Sequence, residues 1–93
     1  MNNKISEFLE VVSELNPGAL YPTGFEDAIV GYIERCGESA KIVLDRHKCI
    51  EIIMERDGMN ELEAEEFMEF NVIGSYVGED TPYFITTVDN VVK

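Results

Sequence analysis

Residues 45–78 read DRHKCIEIIMERDGMNELEAEEFMEFNVIGSYVG. Two helical patterns joined by the turn Asp57-Gly58-Met59-Asn60 account for them. Asp45 stands where a helix N-cap belongs, because a short side-chain oxygen accepts from the free backbone N–H groups of the first turn. Ile50, Ile53 and Met54 then form an inner stripe, with Cys49 on its edge. Gly58 supplies the left-handed stop. Asn60-Glu61-Leu62-Glu63 has the spacing of a capping box and starts the next helix, expected over 61–77. That helix changes character along its length. Ala64, Phe67 and Met68 make an apolar side up to Glu69, whereas Phe70 to Val77 is apolar nearly all round, with Asn71, Gly74 and Ser75 interspersed. Such a segment is expected to be buried or covered by a partner. Gly74 permits a neighbouring element to come close, at a propensity cost near ~1 kcal/mol.

Upstream, Ala40 to Leu44 reads as a strand, being β-branched and aliphatic. The stretch before it supports two readings. Thr23-Gly24-Phe25-Glu26 has capping-box spacing, and Phe25, Ala28, Ile29, Tyr32 and Ile33 would form a helical face. The run Ala28 to Ile33 is β-branched and aromatic around a glycine, however, and a strand uses those residues better. A hairpin of residues 28–35 with 40–44 is the expectation. Further back, Ile5, Phe8, Leu9, Val12 and Leu15 recur at helical spacing over 4–15, with Asn2 or Asn3 as cap. Asn16-Pro17-Gly18 ends that helix. Downstream, Glu79 to Pro82 is a loop, Tyr83 to Val88 a final strand, and Val91-Val92-Lys93 a tail. The fold class is therefore α+β. A small antiparallel sheet of two to three strands carries an N-terminal helix, and the pair 46–57 and 61–77 packs on one face. Residues 1–93 form a single domain with its core in 19–88.

Composition limits the chemistry. Apolar residues make up 45% of the chain, enough to bury a core and to exclude wholesale disorder. No stretch approaches the roughly 18 apolar residues of a membrane span, and no signal-peptide pattern is visible, so a cytoplasmic location is expected. Net charge is −12. Residues 61–80 hold Glu61, Glu63, Glu65, Glu66, Glu69, Glu79 and Asp80 with no Lys or Arg. Such a field disfavours direct binding to nucleic acid and suits a basic protein partner or simple solubility.

Catalytic and metal readings find little material. His47, Cys49 and Cys36 lack the paired spacing of a structural zinc site, and His47 and Cys49 point about 200° apart on a helix. Cys49 lies in a helical first turn, which favours a thiolate, but no Asp or Asn completes a catalytic set. It reads instead as a small buried hydrophobe. Aligning Gly58 with the invariant glycine of a calcium loop places Ile53 and Ala64 where carboxylates belong, and that match fails. GFEDAIVG and GSYVGED lack the glycine spacing of phosphate-binding loops. No metal or cofactor is expected, and no catalytic residue is assigned.

Two constellations remain. Glu61, Glu65 and Glu69 stand in one row at i, i+4 and i+8, and on a continuous helix Val72 and Tyr76 extend it. The row is either a solvated face or a docking surface with Tyr76 as aromatic anchor. Imitation of DNA would need more charge. A helical row repeats every ~6 Å against about 3.4 Å per charge on a duplex strand, so Glu34, Glu51 or Glu55 would have to lie alongside. The second constellation is Asp27, Asn71 and Thr81, each polar in an apolar stretch. Asn71, between Phe67 and Gly74 on a helical face, is expected to be buried and hydrogen-bonded. These three either brace loop backbone or line a small ligand or enzymatic pocket.

The segments GFEDAIVG (24–31), LDRHKCIEIIMERDGM (44–59), EFNVIGSYVGE (69–79) and TPYF (81–84), in this order, resemble small proteins of tailed bacteriophages and prophages. That family has no assigned activity, so the resemblance implies a phage origin and a host-cytoplasm location and carries no mechanism. Helix 4–15 lies outside it. The expected function is that of a non-catalytic accessory protein acting by protein–protein binding, for instance to a host defence or replication factor. The competing readings are a small ligand-binding or enzymatic domain, a DNA mimic, and self-association through the apolar end of helix 61–77.

Overall fold

Asp45 is the residue at which strand becomes helix. Its Oδ1 accepts from the backbone N–H of His47 at 2.9 Å and of Lys48 at 3.4 Å. The computed structural model describes residues 3–92 and passes from the middle strand of its sheet into a helix at this residue. In chain order the elements are helix α1 (Asn3–Leu15), a 3-10 turn (Glu26–Ala28), strands β1 (Ile29–Ile33) and β2 (Lys41–Asp45), and helices α2 (Arg46–Asp57) and α3 (Glu61–Phe67). A π-helical turn (Met68–Ile73), strand β3 (Tyr83–Ile85) and the short helix α4 (Val88–Val91) complete them.

Local chemistry explains the central pair. Gly58 stops α2 in the left-handed region at φ 67°. The capping box of α3 is complete: the Glu63 N–H donates to Asn60 Oδ1 at 2.9 Å, and the Asn60 N–H donates to Glu63 Oε1 at 3.0 Å. Asn3 lies within α1, while Asn2 falls outside the described residues, as does Lys93 of the expected tail.

The sheet has the order β1-β2-β3. β1 and β2 form the expected antiparallel hairpin, pairing Ile29 with Leu44 and Tyr32 with Ile42, with an irregularity at Val30. β3 corrects the all-antiparallel expectation. It runs parallel to β2, with Val43 opposite Tyr83 and Leu44 opposite Phe84. Two helices lie between these strands, and such a crossover is the connection that parallel pairing requires. β3 is also shorter than expected, and Val88 enters α4 rather than the sheet.

Alternation along β2 sends Ile42 and Leu44 into the core, where they meet Val12, Phe25, Ala28, Ile29, Cys49, Ile50, Ile53, Ala64 and Met68. Both β2 residues are fully buried, so one face of the sheet carries the helices. On the other face Ile33, Tyr83 and Ile85 stay exposed. The α1 stripe is narrower than its sequence implies. Val12 is buried and Ile5, Phe8 and Leu9 pack against the core, but Leu15 is exposed.

Beyond α1, Asn16 ties the layers together. Its Nδ2 donates to the Ala40 carbonyl at 2.8 Å and to Asp80 Oδ1 at 2.9 Å. Its Oδ1 accepts from the Gly18 N–H at 3.1 Å. The Leu20 N–H adds a bond to the Asp80 carbonyl, so the loop before β3 is held against the end of α1. Asp80 crowds Gly18, where a Cβ would stand 2.7 Å from Asp80 Oδ2 and would push that carboxylate aside. The buried, fully hydrogen-bonded asparagine is thus Asn16 and not Asn71.

Candidate functional site

α3 does not run on to Val77. It gives way at Met68 to a wider π turn, and Gly74 closes the segment. A Cβ on Gly74 would lie 2.6 Å from the Glu69 carbonyl oxygen and 3.1 Å from that of Phe70, so this turn requires glycine. π turns of this kind occur mostly as single insertions, often at functional sites.

The acidic row is consequently shorter than an unbroken helix would make it. Glu61 is exposed, Glu65 half-buried, and Glu69 is held by Arg46, with Nη2 and Oε1 2.9 Å apart. Val72 packs against the core, and Tyr76 lies past the helical end, so neither continues the row. Tyr76 instead borders a cleft of about 550 Å3 with Tyr83, Lys41, Asp80 and Thr81. The apolar stretch after Glu69, expected to be covered, is largely bare within the chain. Phe70 is 80% exposed and Tyr76 78%. Leu62, two turns before Phe70, is exposed as well. From sequence Phe70 is not distinguished from its apolar neighbours, because an aromatic in an apolar run reads as covered until the π turn sets it outward.

Asp27, Asn71 and Thr81 do not come together as a trio. Asp27 is exposed on the 3-10 turn. Asn71 and Thr81 do border one groove of about 530 Å3, walled by Phe25, Phe67 and Phe84. Asn71 is exposed rather than sealed, because the π turn moves it off the inner face. Thr81 is already committed to backbone. Its hydroxyl accepts from the Val77 N–H at 2.9 Å and donates to the Gly78 carbonyl at 2.7 Å, closing the loop over the groove.

Arg56, also on the groove, lies over the Phe25 ring at 5.1 Å from its centroid, within cation–π range. Nε and Nη2 donate to Asp57, and that hydrogen bond pushes the Arg56 pKa further up. Cys49 is fully buried, and burial followed by the charge of Asp45 pushes its thiol up to about 12. That is the reverse of what a nucleophile needs. Cys36 is exposed in the hairpin turn, and His47 faces Glu51 at 3.6 Å. Among the described residues no group of three or more His, Cys, Asp or Glu is placed to hold a metal ion, and no helix is long and apolar enough to cross a membrane.

The fold is that of a small α+β domain with one helix-covered sheet face; the cleft beside Tyr76 is lined by charged groups such as Lys41 and Asp80, and the groove beside Asn71 mainly by aromatic and small polar ones. No protein-family model matches the chain, and neither a curated protein nor a solved structure matches it.

Proposed function

We propose that this protein is a non-catalytic accessory protein that works by binding another protein, a basic one, through the α3 face and the π turn that follows. The observation that carries this reading is the exposure of Phe70 and Tyr76, at 80% and 78%, beside a stretch that holds acids and no Lys or Arg. Large aromatic side chains of this kind are the usual anchors of protein interfaces. The surrounding carboxylates would steer a cationic partner and reject anionic ones. Nucleic acid is disfavoured as a direct partner for the same reason. The phage origin, the host cytoplasm and a defence or replication factor as target belong to this proposal and rest on the sequence resemblance.

The test is a comparison of paired baits in a bacterial host lysate. The wild-type chain is set against Phe70→Ala/Tyr76→Ala and against Glu61→Lys/Glu65→Lys. These side chains lie outside the core, so circular dichroism and the melting temperature should be nearly unchanged. Both variants should lose the same basic protein from the wild-type catch. Retention of that protein by both variants would remove the reading.

A further inference from the structure

The groove beside α2 differs in composition from the rest of this acidic molecule. All of its lining residues except Arg56 and Phe67 fall in the stretches 15–25, 70–78 and 81–88. These are the longest stretches of the chain free of Asp, Glu, Lys and Arg. The stretch 15–25 and the two neighbouring stretches 70–78 and 81–88 therefore converge to make an aromatic-walled concavity free of carboxylates in a chain of net charge −12. The one charged residue lining it is a cation. Arg56 uses Nε and Nη2 on Asp57, which leaves Nη1 without a protein acceptor among the described residues. The Asn71 side-chain amide likewise makes no hydrogen bond to protein there, whereas Thr81 is occupied by backbone. The volume, about 530 Å3, falls within the range of small-molecule sites.

We infer that this groove binds a small amphiphilic anion, its apolar body against Phe25, Phe67 and Phe84 and its carboxylate or sulfonate head at Arg56 Nη1 and the Asn71 amide. An ammonium head is rejected, since it would meet the guanidinium. A second acidic group is rejected too, since it would meet the negative field outside the groove. The groove shares Phe67, Asn71 and Val72 with the α3 and π-turn segment but uses neither Phe70 nor Tyr76, so Phe70→Ala/Tyr76→Ala should leave it intact and the two readings can fail separately.

The probe is 8-anilinonaphthalene-1-sulfonate, with decanoate, decanol and decylammonium as competitors. The expected result is a saturable one-to-one fluorescence increase at neutral pH, displaced best by decanoate and not by decylammonium. Arg56→Gln should weaken probe and decanoate about tenfold while leaving decanol nearly unchanged. Val77→Glu, at an exposed lining position, should abolish binding by placing a like charge in the groove. Amide chemical-shift changes on titration should map to 20–25, 71–77 and 81–84, with the dispersion of the folded protein retained. Non-saturable fluorescence, equal displacement by decylammonium, or binding indifferent to both substitutions overturns the inference. So does a groove that ignores these amphiphiles and takes only an extended apolar peptide.

Discussion

Two buried side chains make the sharpest predictions at the scale of single residues. Asn16 serves three partners: the Ala40 carbonyl, the Asp80 carboxylate and the Gly18 N–H. Asn16→Ala leaves all three without it and should cost about 2–3 kcal/mol in urea unfolding. Asn16→Asp should cost more, because it loses both donors and sets one carboxylate against another. Cys49 predicts a pH dependence. Its thiol stands at about 12 in the fold against an ordinary 9.0, so the folded pKa is the raised one. Below 9.0 the thiol is protonated in both states and its contribution is intact. From there to about 12 the unfolded chain releases a proton that the folded chain keeps, and stability falls by at most about 1.4 kcal/mol per pH unit. Cys49→Ala should flatten this slope in denaturant midpoints measured across the same range. A thiol reagent should modify Cys36 at once and Cys49 only as fast as the protein opens.

Among the elements, the π turn at Met68–Ile73 is the one whose prediction separates two geometries. In an unbroken helix 61–77, Gly74→Ala would stabilise by about 1 kcal/mol through propensity alone. In the observed turn the added methyl group meets the Glu69 carbonyl at 2.6 Å, and the substitution should destabilise instead. The sign of the change in thermal midpoint decides between them. The same place marks where the sequence stops being legible. Caps are local, so Asp45, Gly58 and the Asn60–Glu63 box could be read from a few neighbours and hold in the structure. The hairpin was legible for the same reason, because β-branched residues on both sides of a turn satisfy each other. The π turn depends on which side chains tertiary packing pulls inward: Ala64 and Met68 are fully buried, and the chain widens just after them. Parallel pairing of β3 is equally non-local, since it follows from the crossover rather than from Tyr83-Phe84-Ile85 themselves. Asn71 belongs to the same effect: an unbroken helix would set it on the inner face, whereas the chain has already changed pitch when it reaches that residue.

The whole molecule is governed by its charge, and the two candidate sites divide along it. The protein-binding face sets Phe70 and Tyr76 beside the carboxylates of α3, and the groove is where charge-free stretches meet. The first was legible as a run of letters; the second became visible only when the fold brought residues 20–25 against 71–84. With 19 acidic residues against 7 basic, the folded state carries a self-repulsion that salt should relieve. Few attractive pairs are lost in exchange. Arg35–Glu38, Arg46–Glu69, His47–Glu51 and Arg56–Asp57 all have substantially exposed partners, and such pairs contribute little. Raising sodium chloride from about 0.01 M to about 0.5 M shortens the screening length from ~30 Å to a few ångströms. The melting temperature should rise by a few degrees, read by circular dichroism at constant pH. Chloride is the right anion for this measurement, because sulfate would also strengthen apolar burial and mimic the result. Capture of the basic partner should move the other way and weaken over the same range, since the field that salt removes from the fold is the field that would attract that partner. A melting temperature that falls with added chloride would mean that the exposed ion pairs, and not the net charge, dominate the electrostatics of this fold.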